Sequence, residues 1–109
     1  MDAGNFVIVH LVNPKEQFWG LLRELNAAGV TLRGINMNSF EDWARQVARG
    51  EEKTIDVVQV FFPMHRMEKM FLDEDMGILP SLARQFFTIT GINALDYMEE
   101  TFDVPPSSH

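Results

Sequence analysis

The chain has 109 residues, 46% of them hydrophobic, with nine Phe and two Trp; that is one domain with enough apolar volume for a core, not a disordered acidic tail. The absence of cysteine excludes disulfides, thiolate metal sites and cysteine nucleophiles. A formal charge of −7 argues against broad non-specific binding to nucleic acid.

No apolar run approaches the roughly 20 residues that span a bilayer, so no membrane partner is expected. Met1–Asn5 carries no cationic stretch ahead of Phe6–Val12, so no signal peptide is expected, and the cytoplasm is the expected compartment.

Phe6-Val7-Ile8-Val9-His10-Leu11-Val12 is a β-branched run bounded by Asn13-Pro14. Its length and composition predict a strand buried on both faces. Gln17 to Leu25 has two readings. As a helix it has Asn13 as N-cap, Pro14 in the first turn, Gly29 as stop, and a stripe of Phe18, Leu21, Leu22 and Leu25. As a strand it puts Trp19, Leu21 and Leu25 on one face and turns through Asn26-Ala27-Ala28-Gly29, with Gly29 placed for positive φ. Gly20 favours the strand, since it costs about 1 kcal/mol inside a helix but permits a sharp bend inside a sheet. In Val30 to Met37 the apolar parity changes at Gly34, which predicts a bulge or kink there.

Ser39-Phe40-Glu41-Asp42 opens a helix with Ser39 as N-cap and two carboxylates at its positive end. Phe40, Trp43, Ala44 and Val47 recur at helical spacing, and Gly50 stops the helix. Glu51-Glu52-Lys53 reads as a solvated loop. Ile55 to Phe62 is a further strand, broken by Pro63, and Arg66 to Leu72 resumes an extended or short helical pattern. Asp73-Glu74-Asp75 is a polar stop. Beyond Pro80, Leu82, Phe86 and Ile89 predict a helix, Thr90-Gly91 interrupts it, and Leu95, Met98 and Phe102 predict a last short one. Pro105 to His109 reads as a disordered end.

In the strand reading, Gly20-Leu21 lies in a bent second strand, Asn26 opens a turn, and Leu32 sits in a third strand. Pro63 ends the fourth, and Met67 and Met70 follow at a spacing of three. Over Phe6 to Leu72 this pattern resembles the Sm-like barrel, the five-stranded SH3-type fold of the Sm, LSm and bacterial Hfq proteins. The resemblance implies a mainly β barrel over residues 1–76 with a helical insertion at 39–50. A helical C-terminal extension over 77–104 and the tail 105–109 complete the chain. It also implies a homo-oligomer, since the family forms rings, and open sheet edges are relieved when identical subunits pair them. The alternative keeps Asn13–Ala28 helical and yields an α+β ferredoxin-like regulatory domain that senses a small metabolite.

His65-Arg66 is the nearest match to the lysine–histidine pair that Hfq carries in its last strand. Arg33-Gly34 has the letters of the Sm proteins' Arg-Gly pair, on a different strand. Arg33, His65, Arg66 and Lys69 are therefore the candidate ligand-binding residues, a local basic patch for phosphate or RNA. The plainer reading of His65-Arg66 is a polar loop that caps strand ends. His10 lies mid-strand with no nucleophile or acid placed beside it by any motif, and reads as a core or interface histidine. Met64, Met67 and Met70 read as core or inter-subunit contact, and Trp19 and Trp43 as packing. The acidic clusters lack the spacing of a cation loop, and no phosphate loop, zinc motif, nucleophile elbow or dinucleotide fingerprint occurs. No catalytic residue, metal or cofactor is expected. The expected function is a non-catalytic oligomeric binding or scaffold module, with an Hfq-like RNA-binding regulator as the alternative.

Overall fold

In the computed structural model, which describes residues 1–50, 52 and 54–102, the first apolar run forms strand β1 (Phe6–Leu11). Both its faces are covered. Val7, Val9 and Leu11 pack into one core, and Phe6 and Ile8 against another. Strand β2 (Glu16–Asn26) follows, then β3 (Gly29–Asn36), β4 (Val58–Pro63) and β5 (Met67–Leu72). The strands form one sheet in the order β4-β3-β2-β1-β5, with every neighbouring pair antiparallel. Helices α1 (Phe40–Arg49), α2 (Leu82–Thr90) and α3 (Ala94–Phe102) complete a fold made mainly of strands.

The segment with two readings is extended, and the ferredoxin-like alternative falls with its helix over Asn13–Ala28. The cause is two-sided burial. Phe18 and Leu22 join one core while Trp19 and Leu21 join the other, which a helix with a single apolar stripe does not achieve. The hairpin turn is closed by Asn26, whose side-chain oxygen accepts from the Ala28 N–H at 2.9 Å and the Gly29 N–H at 3.3 Å. Gly29 has the positive φ expected of it, +158°, and it also makes space: a Cβ there would run into the Phe62 carbonyl oxygen and lie 2.7 Å from the Phe61 ring.

Gly34 is not a bulge. Val30 and Leu32 face one core, Ile35 the other, in unbroken alternation along β3. The apparent change of parity arises because both faces carry apolar residues. The irregularity of register lies instead in β2, between Leu22 and Glu24. Gly34 stands directly opposite Gly20. A Cβ on Gly20 would sit 2.6 Å from the Arg33 carbonyl oxygen and 2.7 Å from the Gly34 Cα, so the two backbones approach where no side chain fits.

That close approach serves a sheet that must curl. β4 and β5 lie at opposite edges, yet only Met64–Arg66 links them. Five flat strands would hold their edges about 19 Å apart at the usual spacing of about 4.8 Å. The four steps from Pro63 to Met67 reach about 14 Å at most. The link is tied at both ends: Met64 N donates to Ala28 O and Val12 N to Arg66 O, each at 2.9 Å. No ladder joins β4 to β5, so the sheet remains open.

The two cores follow from the curl. Val7, Val9, Leu11, Leu22, Val30, Leu32 and Phe62 pack strand against strand inside it. Trp19, Leu21 and Ile35 point outward and are covered by Phe40, Trp43 and Ala44 of α1, Phe86 of α2, and Ala94 and Met98 of α3. Trp43 stacks on Phe86 at 4.7 Å between ring centres and meets Tyr97 edge-on at 5.5 Å.

Boundaries depart from expectation where polar groups intervene. Ser39 precedes α1 but its hydroxyl makes no capping bond; the Asn36 side chain accepts from the Asn38 N–H one turn earlier. Gly50 does end α1, in the left-handed conformation. β4 begins at Val58 rather than Ile55, because the Asp56 carboxylate turns back to accept from the Val57 N–H, from Trp43 Nε1 and from the Tyr97 hydroxyl. Glu51, Lys53 and the tail 105–109 lie outside the described residues.

Candidate functional site

The four residues singled out from the sequence occupy three settings. Arg33 is buried on β3, opposite Leu21 of β2 and Gln59 of β4. It alternates with Leu32 and therefore lies on the helix-covered side of the sheet. His65 is exposed on the three-residue link. Arg66, beside it, is held by the backbone: Nε donates to Val12 O at 2.9 Å, and Nη2 donates to Pro14 O at 2.6 Å and to Glu16 at 3.3 Å. Its fork fastens the link to the β1–β2 turn. Lys69 is on β5 opposite His10, with its ammonium 5.8 Å from the centre of the Phe71 ring. His65, Arg66 and Lys69 thus follow one another along the start of β5. Arg33 is separated from that strand in the sheet by β2 and β1.

His10 is half-buried and meets Phe71 edge-on at 5.2 Å. The methionine row divides: Met67 and Met70 pack against the inner core, and Met64 is exposed. The cluster Asp73-Glu74-Asp75 is more than a polar stop. Asp73 accepts from Leu82 N and Ala83 N at the start of α2 and from the buried Trp19 Nε1 at 2.9 Å. A bond across 54 positions leaves no local signal in the sequence. Among the described residues no group of three or more His, Asp or Glu is placed to hold a metal ion, and no helix is long and apolar enough to cross a membrane.

What the sequence reading missed is apolar and lies at the two sheet edges. On β4, Val58 and Phe61 are each about half exposed. On β5, Phe71 and Leu72 are exposed, and beyond them Met76, Ile78 and Leu79. Beside β5 runs a groove of about 580 Å³ whose lining is mostly apolar, from Met1, Ile8, Met70, Phe71, Leu72 and Met76, with the acidic Asp73 and Glu74 among it. The run Met76-Gly77-Ile78-Leu79 was visible as letters, but apolarity alone does not separate a surface from a core segment. Among the described residues no strand pairs with the outer side of β4 or β5, so these edges offer main-chain N–H and C=O groups beside apolar side chains, which suits strand pairing and apolar docking.

No family model, curated protein or solved structure matches the chain.

Proposed function

We propose that this chain is a non-catalytic binding or scaffold module that works as a homo-oligomer, built from Sm-like barrels joined edge to edge. The observation that carries the reading is a sheet whose two edges are unpaired among the described residues, β4 uncharged and β5 with Phe71 and Leu72 exposed beside Glu68 and Lys69. Exposed edges of monomeric proteins are ordinarily blunted by charge or covered by another element. Here Val57 to Met64, spanning β4, contains no charged residue, in a chain whose net charge is −7. Pairing the β4 edge of one copy with the β5 edge of the next is a head-to-tail contact, and such contacts close into rings when the rotation allows. The curl enforced by the Met64–Arg66 link supports the barrel reading.

Size-exclusion chromatography with light scattering on the full chain tests this. The expected mass is a multiple of the 12.5 kDa chain. A clean monomer across the accessible concentrations overturns the reading. The same sample titrated with short RNA at two salt concentrations is expected to show no salt-dependent affinity; a steep salt dependence favours the Hfq-like alternative built on Arg33, His65, Arg66 and Lys69.

A further inference from the structure

Helices α2 and α3 are bound more closely to each other and to α1 than to the sheet. Only Gly91, Ile92 and Asn93 join them, and that joint is tied. Gly91 N donates to Phe87 O at 2.7 Å, Ile92 N to the Thr90 hydroxyl at 3.0 Å, and Asp96 N to the Asn93 side-chain oxygen at 3.1 Å. Phe86 of α2 and Tyr97 of α3 meet each other at 5.6 Å between ring centres, and both pack on Trp43 of α1. Toward the sheet the fit is looser. A cleft of about 600 Å³ has Gly4 and Phe6 on the sheet side and Ala83, Phe87, Ala94 and Leu95 on the helix side. The inner core, meanwhile, is made of strand residues alone, so it survives a departure of the helices. Two carboxylates bridge the junction. Asp73, just after β5, accepts from Trp19 Nε1 at 2.9 Å and from the first N–H groups of α2, those of Leu82 and Ala83, at 2.8 and 2.9 Å. Asp56, ahead of β4, accepts from Trp43 Nε1 at 3.3 Å and from the Tyr97 hydroxyl of α3 at 3.0 Å. Hydrogen bonds to a carboxylate are the strong kind, and each of these acids holds one indole and one of the two helices.

We infer that α2 and α3 are a cap that opens from the sheet as one unit, latched shut by Asp73 at the α2 end and Asp56 at the α3 end. Supersecondary units with their own internal ties open at lower cost than the core they rest on. The tied joint and the Phe86–Tyr97 contact keep the two helices together as they move. The cleft beside Phe6 marks where the cap parts from the sheet, and the segment between Asp73 and Ser81, with Gly77 at φ +61°, is the hinge. Closed, the cap hides Trp19 and Trp43, neither of which is exposed; open, it bares them as an aromatic surface beside α1. Opening needs no contact between copies, so the cap stands apart from the edge-to-edge assembly proposed above.

Amide hydrogen exchange on the full chain tests it, in the wild type and in Asp73→Asn and Asp56→Asn, each checked for the wild-type far-UV circular dichroism. Tyr97→Phe, which removes only the hydroxyl, replaces Asp56→Asn if the latter does not fold. In the wild type the amides inside α2 and α3 are expected to exchange at one common opening rate, faster than those of β1, β2 and β3. Each variant is expected to speed both helices by at least about tenfold, the scale of one lost hydrogen bond to a charged group, and to leave those three strands within about twofold. The decisive result is the crossed one: Asp73→Asn speeds α3, and the change at Asp56 or Tyr97 speeds α2. A variant that speeds only the helix its own latch touches overturns the single unit. Strands that speed up by the same factor as the helices, or wild-type helices that exchange no faster than the strands, overturn the cap. Variants whose helices exchange like the wild type overturn the latches.

Discussion

At position 34 a single added carbon meets the backbone of the neighbouring strand. A Cβ there would run into the Trp19 carbonyl oxygen and lie 2.6 Å from the Gly20 Cα. Neither is the far end of a flexible side chain, so the strands themselves would have to part. Gly34→Ala is therefore expected to lose at least about 3 kcal/mol in urea unfolding, at or beyond the usual range for overpacking. Gly50→Ala, at φ +68° with open space around it, provides the contrast at about 1 kcal/mol. A Gly34→Ala chain within 1 kcal/mol of wild type would show that the close approach does not shape the sheet. The sequence carried half of this. Gly20 reads as a bend because a glycine is costly in a helix and useful in a curled strand. Its partner was not legible, since cross-strand register is a relation between segments and not a property of either.

Among elements, those with one clear periodicity or composition were legible. β1 shows its two-sided burial in an unbroken β-branched run, α1 in Phe40, Trp43 and Ala44, and α2 in Leu82, Phe86 and Ile89. β3 misled because residues of both parities are apolar, which imitates a phase shift. α3 was placed, but its buried positions are Ala94 and Met98, with Leu95 exposed; the small Ala94 fits beneath the aromatic cluster. Of the candidate site, the position of His65-Arg66 beside a turn was readable, whereas the partners of Arg66 lie about 50 residues away along the chain. Those partners make it a fastening for the link. Arg66→Lys keeps the charge but loses the planar fork that reaches three acceptors, and is expected to destabilise by about 1–2 kcal/mol in the same unfolding assay. A loss of only a few tenths would mean that the fastening adds little and that Arg66 is available to a ligand.

On the scale of the molecule, three facts belong together. A three-residue link forces the sheet to curl, the curl buries one core inside and leaves another for the helices, and no ladder closes β4 onto β5. Two six-residue edges are left with half their main-chain groups directed away from the sheet. A net charge of −7 keeps copies apart at long range, but the edge residues themselves are mostly apolar, so attraction acts at contact. Amide hydrogen exchange followed residue by residue tests the central claim most directly. At assembling concentrations, the outward-directed amides of residues 58–62 and of Met67–Leu72 are predicted to exchange as slowly as those of β1 and β2, and to speed up on dilution. Exchange of those amides at the rate of exposed loops, whatever the concentration, would contradict it.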